Sequence, residues 1–254
     1  IFDEKAAEDL INTIQTQSDI TGVKFALDIV GTTETAFEKY IDFVPKHTDA
    51  PLMLDAMSPR TRMAAANLAK KMGLADRCLY NSIYKGVTDA ELANIKESGI
   101  KMSIVLADDP KDTTLEGKMN VIVEALAMAE RAGITKPLID TAIPAFEPDM
   151  GASVRAIPIM KEKYGHPVGL GSGNVVTTMG WVKANVAKQF RKGTVTSTNT
   201  IMQMAGANWL MFGPAEQAEW VFPAIAVTDT YLASAAADLG TRPLEETHPI
   251  YKAF

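Results

Sequence analysis

Short apolar runs recur along this chain, each followed by a segment of helical spacing, and that alternation restricts the fold more than any other feature. The runs are Phe25 to Val30, Pro51 to Ala56, Cys78 to Ile83, Met102 to Ala107, Pro137 to Ile143, Pro167 to Gly171 and Asn208 to Gly213. Their bounded length reads as strands buried on both faces. Between them lie good helix formers at Arg60 to Met72, Asp89 to Lys96 and Glu116 to Ala132, with Gly73, Gly99 and Gly133 where helix C-caps belong. Strand, loop, crossover helix and return make the βα unit, so the fold class is α/β with a parallel sheet. Such units close as a barrel or as a doubly wound sheet, and seven strands are countable where a TIM (β/α)8 barrel needs eight. The chain opens directly into a helical pattern, Asp3 to Thr16, so the first barrel strand is expected upstream or missing from this chain. No linker or composition shift marks a boundary, and residues 1–254 are expected to form a single barrel domain.

Composition narrows the function. Of 254 residues, 47% are hydrophobic and 22% charged, enough for a sizeable core and too apolar for disorder. A net charge of −6 argues against a nucleic-acid footprint. No stretch reaches the roughly 18 uninterrupted apolar residues of a membrane span. The richest, Val221 to Ala237, is interrupted by Pro223, Asp229 and Ser234 and reads as a buried helix. Cys78 has no partner for an internal disulfide, and the N-terminus lacks a basic segment leading into an apolar run, so a reducing cytoplasm is expected.

In a parallel barrel the chemistry sits at the C-terminal ends of the strands. Those ends carry Asp28, Asp55, Asn81, Asp108 and Asp140, and then the turn Gly171-Ser172-Gly173-Asn174. Any one of these could cap the following helix. Five or six coincidences around one ring favour a ligand site instead. Asp55, Asn81 and Asp140 offer acceptors and one amide, with no Lys or Arg evident among them, which disfavours a phosphate. An uncharged heterocycle rich in N–H donors, a pterin or purine edge, suits two carboxylates and an amide. The glycine turn keeps three readings: a tight turn using positive φ, a phosphate cradle, or a close approach for a flat ligand with Asn174 donating a hydrogen bond. His47, His166 and His248 sit at no strand's C-terminal end, which disfavours a histidine metal site, and Lys24 and Lys101 precede their strands, away from the mouth. Cys78 reads as a buried structural thiol, Met57 first as core filler and second as lining for a flexible apolar contact surface, and Asp109, Glu147 and Asp149 as solvated loop acids.

The order Leu-Asp, Asn-Ser, Ile-Asp and Gly-x-Gly-Asn along successive strand ends resembles the methyltetrahydropterin:corrinoid methyltransferases. The segments Gly73-Leu74-Ala75-Asp76-Arg77, Tyr80-Asn81-Ser82-Ile83, Ala132-Gly133-Ile134-Thr135-Lys136-Pro137-Leu138-Ile139-Asp140-Thr141 and Phe212-Gly213-Pro214 are most similar to the H subunit of tetrahydromethanopterin S-methyltransferase and its bacterial tetrahydrofolate relatives. The likeness covers almost the whole chain. It implies a (β/α)8 barrel with one more strand before the first helix. It places pterin binding on Asp55, Asn81 and Asp140, with Gly171 under the ring and Asn174 near N5, the nitrogen that carries the methyl group. Asn174 and Asp140 are then the candidate catalytic residues.

The resemblance further implies transfer of a methyl group between N5 of a tetrahydropterin and a corrinoid. Nitrogen leaves poorly without a proton or hydrogen bond, so charge change at N5 must be stabilised, while a fixed ring orientation contributes several kcal/mol. No Asp-x-His-x-x-Gly lower-ligand motif occurs, so the corrinoid is expected on a partner protein, docking at an open rim. A homodimer is also implied, with Trp209, Trp220, Phe222 and Tyr231 serving an interface or the core. Tetrahydrofolate is the expected pterin, because Asp55-Ala56-Met57-Ser58 departs from the methanogen pattern. The alternatives are tetrahydromethanopterin within a larger complex, a different pterin enzyme such as one using a pterin pyrophosphate, and a non-catalytic subunit.

Overall fold

The computed structural model describes residues 2–143 and 150–253. Its strands are β1 (Leu27–Val30), β2 (Leu52–Asp55), β3 (Cys78–Ile83), β4 (Met102–Leu106), β5 (Lys136–Asp140), β6 (Val168–Leu170) and β7 (Trp209–Leu210). The helices are α1 (Glu4–Thr21), α2 (Glu34–Phe43), α3 (Pro59–Lys71), α4 (Asp89–Ser98), α5 (Leu115–Arg131), α6 (Met150–Tyr164), α7 (Gly173–Thr178), α8 (Gly180–Asn185), α9 (Arg191–Met204) and α10 (Ala218–Ala237). All seven strands join one sheet in chain order, the order of a (β/α)8 barrel, and each expected strand is found, β3 over its whole apolar run and the others shorter than theirs. Among the described residues no helix is long and apolar enough to cross a membrane.

The first of two compact units holds Ala26–Ala142 and Gly151–Gly169, with Ile1–Phe2. Its strands pair in parallel with an unbroken register from β1 to β3: Val30 lies opposite Asp55, and Asp55 opposite Asn81. Leu52, Leu54, Tyr80, Ile83, Ile104 and Ile139 are fully buried. Threonine or serine begins three of the crossover helices: Thr33, Thr88 and Thr114 accept from the amides of Ala36, Glu91 and Gly117. Gly99, Gly73 and Gly133 close α4, α3 and α5 with positive φ, the conformation glycine adopts without strain.

A buried ion pair ties this unit together. The Arg62 guanidinium, on α3, donates from Nε and Nη2 to Glu91 Oε1 on α4 at 3.0 and 2.8 Å, and the Tyr80 hydroxyl on β3 donates to the same oxygen at 2.5 Å. Arg62 is 5% exposed and Glu91 1%. Removing either partner strands a charge in the core.

The second unit holds Asp3–Phe25, Ile143–Met150 and Leu170–Phe254. Its core groups Val176, Val182, Val195 and Val221 with Phe212, Trp220 and Ile225 around them. The α10 helix buries Val221, Phe222 and Ala233, but Val227 and Tyr231 are exposed, so the expected buried helix is buried along one stripe only. Phe222 serves the core, against Phe25 and Phe212, while Tyr231 does not.

Glu91→Ala is expected to lower unfolding stability by about 3–5 kcal/mol in urea titrations, because Arg62 loses its partner in the core. Arg60→Ala, which breaks an exposed pair with Glu34, is expected to change it by less than about 1 kcal/mol.

Candidate functional site

Asp28, Asp55, Asn81 and Asp140 all stand in the first unit, at or near the C-terminal ends of β1, β2, β3 and β5. Because the strands run in parallel, these ends share one edge. Asp55 and Asn81 are direct register partners, both half-buried. Asp140 is 4% exposed and lies opposite Leu106 on one side and Gly169 on the other. The helices that follow β1 to β4 begin at Thr33, Ser58, Thr88 and Thr114, several positions further on, so the capping explanation fails for Asp28, Asp55, Asn81 and Asp108.

The electrostatics of the pair on β1 and β2 are unusual. Protein crowding, first, and the neighbouring Asp55 carboxylate, second, push the Asp28 carboxyl up to about 7. The residue is nevertheless exposed to water. Burial also raises Asp55, and the Arg62 guanidinium partly opposes that rise. The Asp55 carboxylate thus adds to the preference of Asp28 for its protonated form.

Asp140 is held by the turn that follows it. Its Oδ1 accepts from the Ala142 amide at 2.7 Å, and Ala142 has φ of 50°, a left-handed conformation rare for a side-chain-bearing residue. The Ala142 carbonyl accepts from Lys118 Nζ at 2.6 Å and from Ser153 Oγ at 2.8 Å.

Two of these residues escape the sequence reading. Arg62 donates to the Ala56 carbonyl at 2.7 Å, just past the end of β2, and Lys118, fully buried on α5, reaches the end of β5. The expectation that no Lys or Arg joins the strand ends is therefore corrected, although both cations engage backbone carbonyls and a phosphate site does not follow. Helical residues far along the chain reach these ends through long side chains, a placement that strand-end reading does not register. Met57 is a second correction: it is fully exposed beside Asp55, an apolar rim residue and not core filler. Asp108 is half-buried at the end of β4, and Asp109 is drawn down by the Lys111 amide and paired with Lys85 at 3.4 Å. Glu147 and Asp149 lie outside the described residues. Cys78 is buried at the start of β3 with its thiol pushed up to about 12 by that burial, the inert role expected of it.

Gly171 and Asn174 stand in the second unit, in the turn between β6 and α7. Neither Gly171 nor Gly173 has positive φ, so the tight-turn reading that relied on it is corrected. Space is the reason for glycine at 173: a Cβ there would run into the backbone of Phe212 and Gly213. Gly171 is roomier, with the Met211 methyl 3.4 Å from where its Cβ would stand. Ser172 is buried and donates to Asn199 Oδ1 at 2.7 Å, fixing the turn to α9. Asn174 is the second residue of α7.

Comparison with known proteins assigns the chain. Residues 1–244 match the family model described as the tetrahydromethanopterin S-methyltransferase MtrH subunit. The chain belongs to this family. The H subunit of tetrahydromethanopterin S-methyltransferase from Methanococcus maripaludis is 39% identical over 99% of this chain and 85% of its own length. The H subunit from Methanothermobacter thermautotrophicus is 37% identical over 99% of this chain and 84% of its own. The expected kinship with methyltransferase subunits is thus borne out, and the relatives' names favour the tetrahydromethanopterin alternative over tetrahydrofolate. Among solved structures, Yersinia pestis dihydropteroate synthase with a pterine-sulfa conjugate superposes with a TM-score of 0.67, covering 91% of this chain and 90% of the other at 15% identity. That likeness establishes the TIM-barrel fold class of this MtrH-family chain.

Stability should follow the Asp28 proton. The unfolded chain holds this carboxyl near 3.8 and the fold near 7, so between those values the folded state binds the extra proton and stability falls as pH rises, levelling off above 7. Asp28→Asn should therefore raise the urea midpoint at pH 8 and leave it unchanged near pH 4. The gain is expected to be on the order of 1 kcal/mol, since water at the carboxyl screens the full linkage value.

Proposed function

We propose that this chain transfers a methyl group between N5 of a tetrahydropterin and a corrinoid borne by a separate protein, with tetrahydromethanopterin as the favoured pterin. The observation that carries the reading is the register pair Asp55–Asn81 with buried Asp140 on the same sheet edge, Asp55 and Asn81 capping neither of the helices that follow them. Two carboxylates and an amide match the donors of a pterin's amino and ring N–H groups, each charge-assisted bond being worth roughly 1.5–3 kcal/mol. Such bonds hold the ring in one orientation, so N5 is presented in a fixed direction. Departure of nitrogen requires a proton or a hydrogen bond at N5. Asp28 is suited to hold that proton, because a carboxyl balanced near neutrality exchanges it readily. The resemblance in sequence assigns Gly171 to the contact beneath the ring and Asn174 to the hydrogen bond near N5. A corrinoid brought by a partner would supply the cobalt chemistry that exchanges the methyl group, and the exposed Met57 beside Asp55 offers such a partner an apolar foothold.

The names of the relatives support tetrahydromethanopterin, and tetrahydrofolate remains as the second pterin to be assayed. Titration calorimetry with each pterin on the full chain tests the reading. Micromolar binding is expected, weakened about tenfold or more by Asp140→Ala and by Asn81→Ala, at the cost of one charge-assisted or amide bond each. Asn174→Ala is expected to lower the methyl-transfer rate to or from methylcobalamin with little change in pterin affinity. Failure of both pterins to bind a folded parent chain, or equal binding by Asp140→Ala, would overturn the proposal.

A further inference from the structure

We infer that Lys118, on α5, is a positioning residue for Asp140: with Ser153 it clamps the Ala142 carbonyl, and so holds the left-handed turn whose amide fixes the Asp140 carboxylate. The inference rests on the proposed pterin reading for its functional meaning and on separate geometry for its structural part.

Burying a lysine is costly, and the Lys118 side chain is completely buried. Its ammonium reaches across to the loop after β5, donating to the Ala142 carbonyl at 2.6 Å. The Ser153 hydroxyl, from the first turn of α6, meets the same oxygen at 2.8 Å. Two donors on one carbonyl fix the Ala142–Ile143 peptide plane. Ala142 itself stands at φ of 50°, where an alanine is disfavoured, so the turn needs support from its surroundings to persist. What the turn achieves is on its other side: the Ala142 amide donates to Asp140 Oδ1 at 2.7 Å. One carboxylate oxygen is thereby occupied and the plane of the group set. An acid that must accept two parallel hydrogen bonds from a flat ring needs its plane fixed before the ring arrives, and this chain of contacts supplies that order. Lys118 and Ser153 come from the helices on either side of β5, so neither is visible from the strand-end motif.

The test separates positioning from mere stability. Amide hydrogen exchange is measured by NMR at Ala142 and, as the internal reference, at Ile139, whose amide donates to Pro167 within the sheet. Lys118→Met is expected to speed exchange at Ala142 about tenfold or more while Ile139 keeps its rate, since a lost charged donor is worth that factor. Ser153→Ala, a smaller change that keeps the fold if Lys118→Met does not, should act in the same direction by a lesser factor. Equal acceleration at both amides in the folded variants, or none at either, overturns the inference. On the functional side, both variants should weaken pterin binding and raise KM while kcat stays near that of the parent, because Asp140 is misoriented but present. If the parent chain binds no pterin, the function proposed above falls while the exchange measurement still decides whether Lys118 orients Asp140. If the parent binds pterin and Lys118→Met binds it equally well, the positioning role is refuted and the function stands.

Discussion

Parallel pairing decides which strand ends share an edge, and the chemistry of this chain depends on that constraint. Each strand can return only through a crossover helix, so every C-terminal end faces the same way and the residue that ends each strand meets its counterparts there. The register makes this concrete: Val30, Asp55 and Asn81 form one row across β1, β2 and β3, and Leu106, Asp140 and Gly169 form another across β4, β5 and β6. A slip of one residue would turn Asp55 toward the helices and bring Leu54 to the site, exchanging an acceptor for an alkyl group.

Two buried cations stand behind these rows. Arg62 bonds the carbonyl that follows β2 while its other nitrogens meet Glu91, and Lys118 bonds the carbonyl that follows β5. Neither faces outward as a ligand-binding charge would. Each holds a loop at the moment it leaves the sheet, and Arg62 also tempers the rise of the Asp55 carboxyl. A buried pair of charges gives little net stability against an apolar substitute. Its contribution here is geometric: α3, α4 and β3 are tied at one carboxylate oxygen.

The strands and the strand-end acids were legible in the sequence because buried parallel strands are short apolar runs and a polar residue at the end of one breaks the run. Gly73, Gly99 and Gly133 were legible for a similar reason, since a helix C-cap calls for positive φ that glycine adopts freely. The glycine at 173 was not, because its constraint is the approach of the Phe212–Gly213 backbone and not a dihedral angle, and tertiary approach leaves no local signature. Lys118 escaped for the same reason. It sits on α5 in the sequence Glu-Gly-Lys-Met, which reads as a solvated helix start, yet the fold buries it completely. Met57 erred in the opposite sense, an apolar residue that the fold leaves in water, and Tyr231, read as core or interface, is exposed as well.

The acids themselves carry the argument for a ligand furthest. Nothing in a parallel ladder calls for a carboxyl within β1 near another at the end of β2, and the loss of hydration at both, with repulsion from Asp55 at Asp28, weakens the fold at neutral pH. Natural cores break local rules mainly where function gains from the breach. A neutral, donor-rich ring would satisfy the oxygens of Asp55 and Asp140 without adding charge, and a proton shared with Asp28 would relieve the repulsion between β1 and β2. Under the proposed function, the same features that make this edge a poor piece of core would make it a selective receptor, one in which binding a donor-rich ring and holding a proton are parts of a single electrostatic balance.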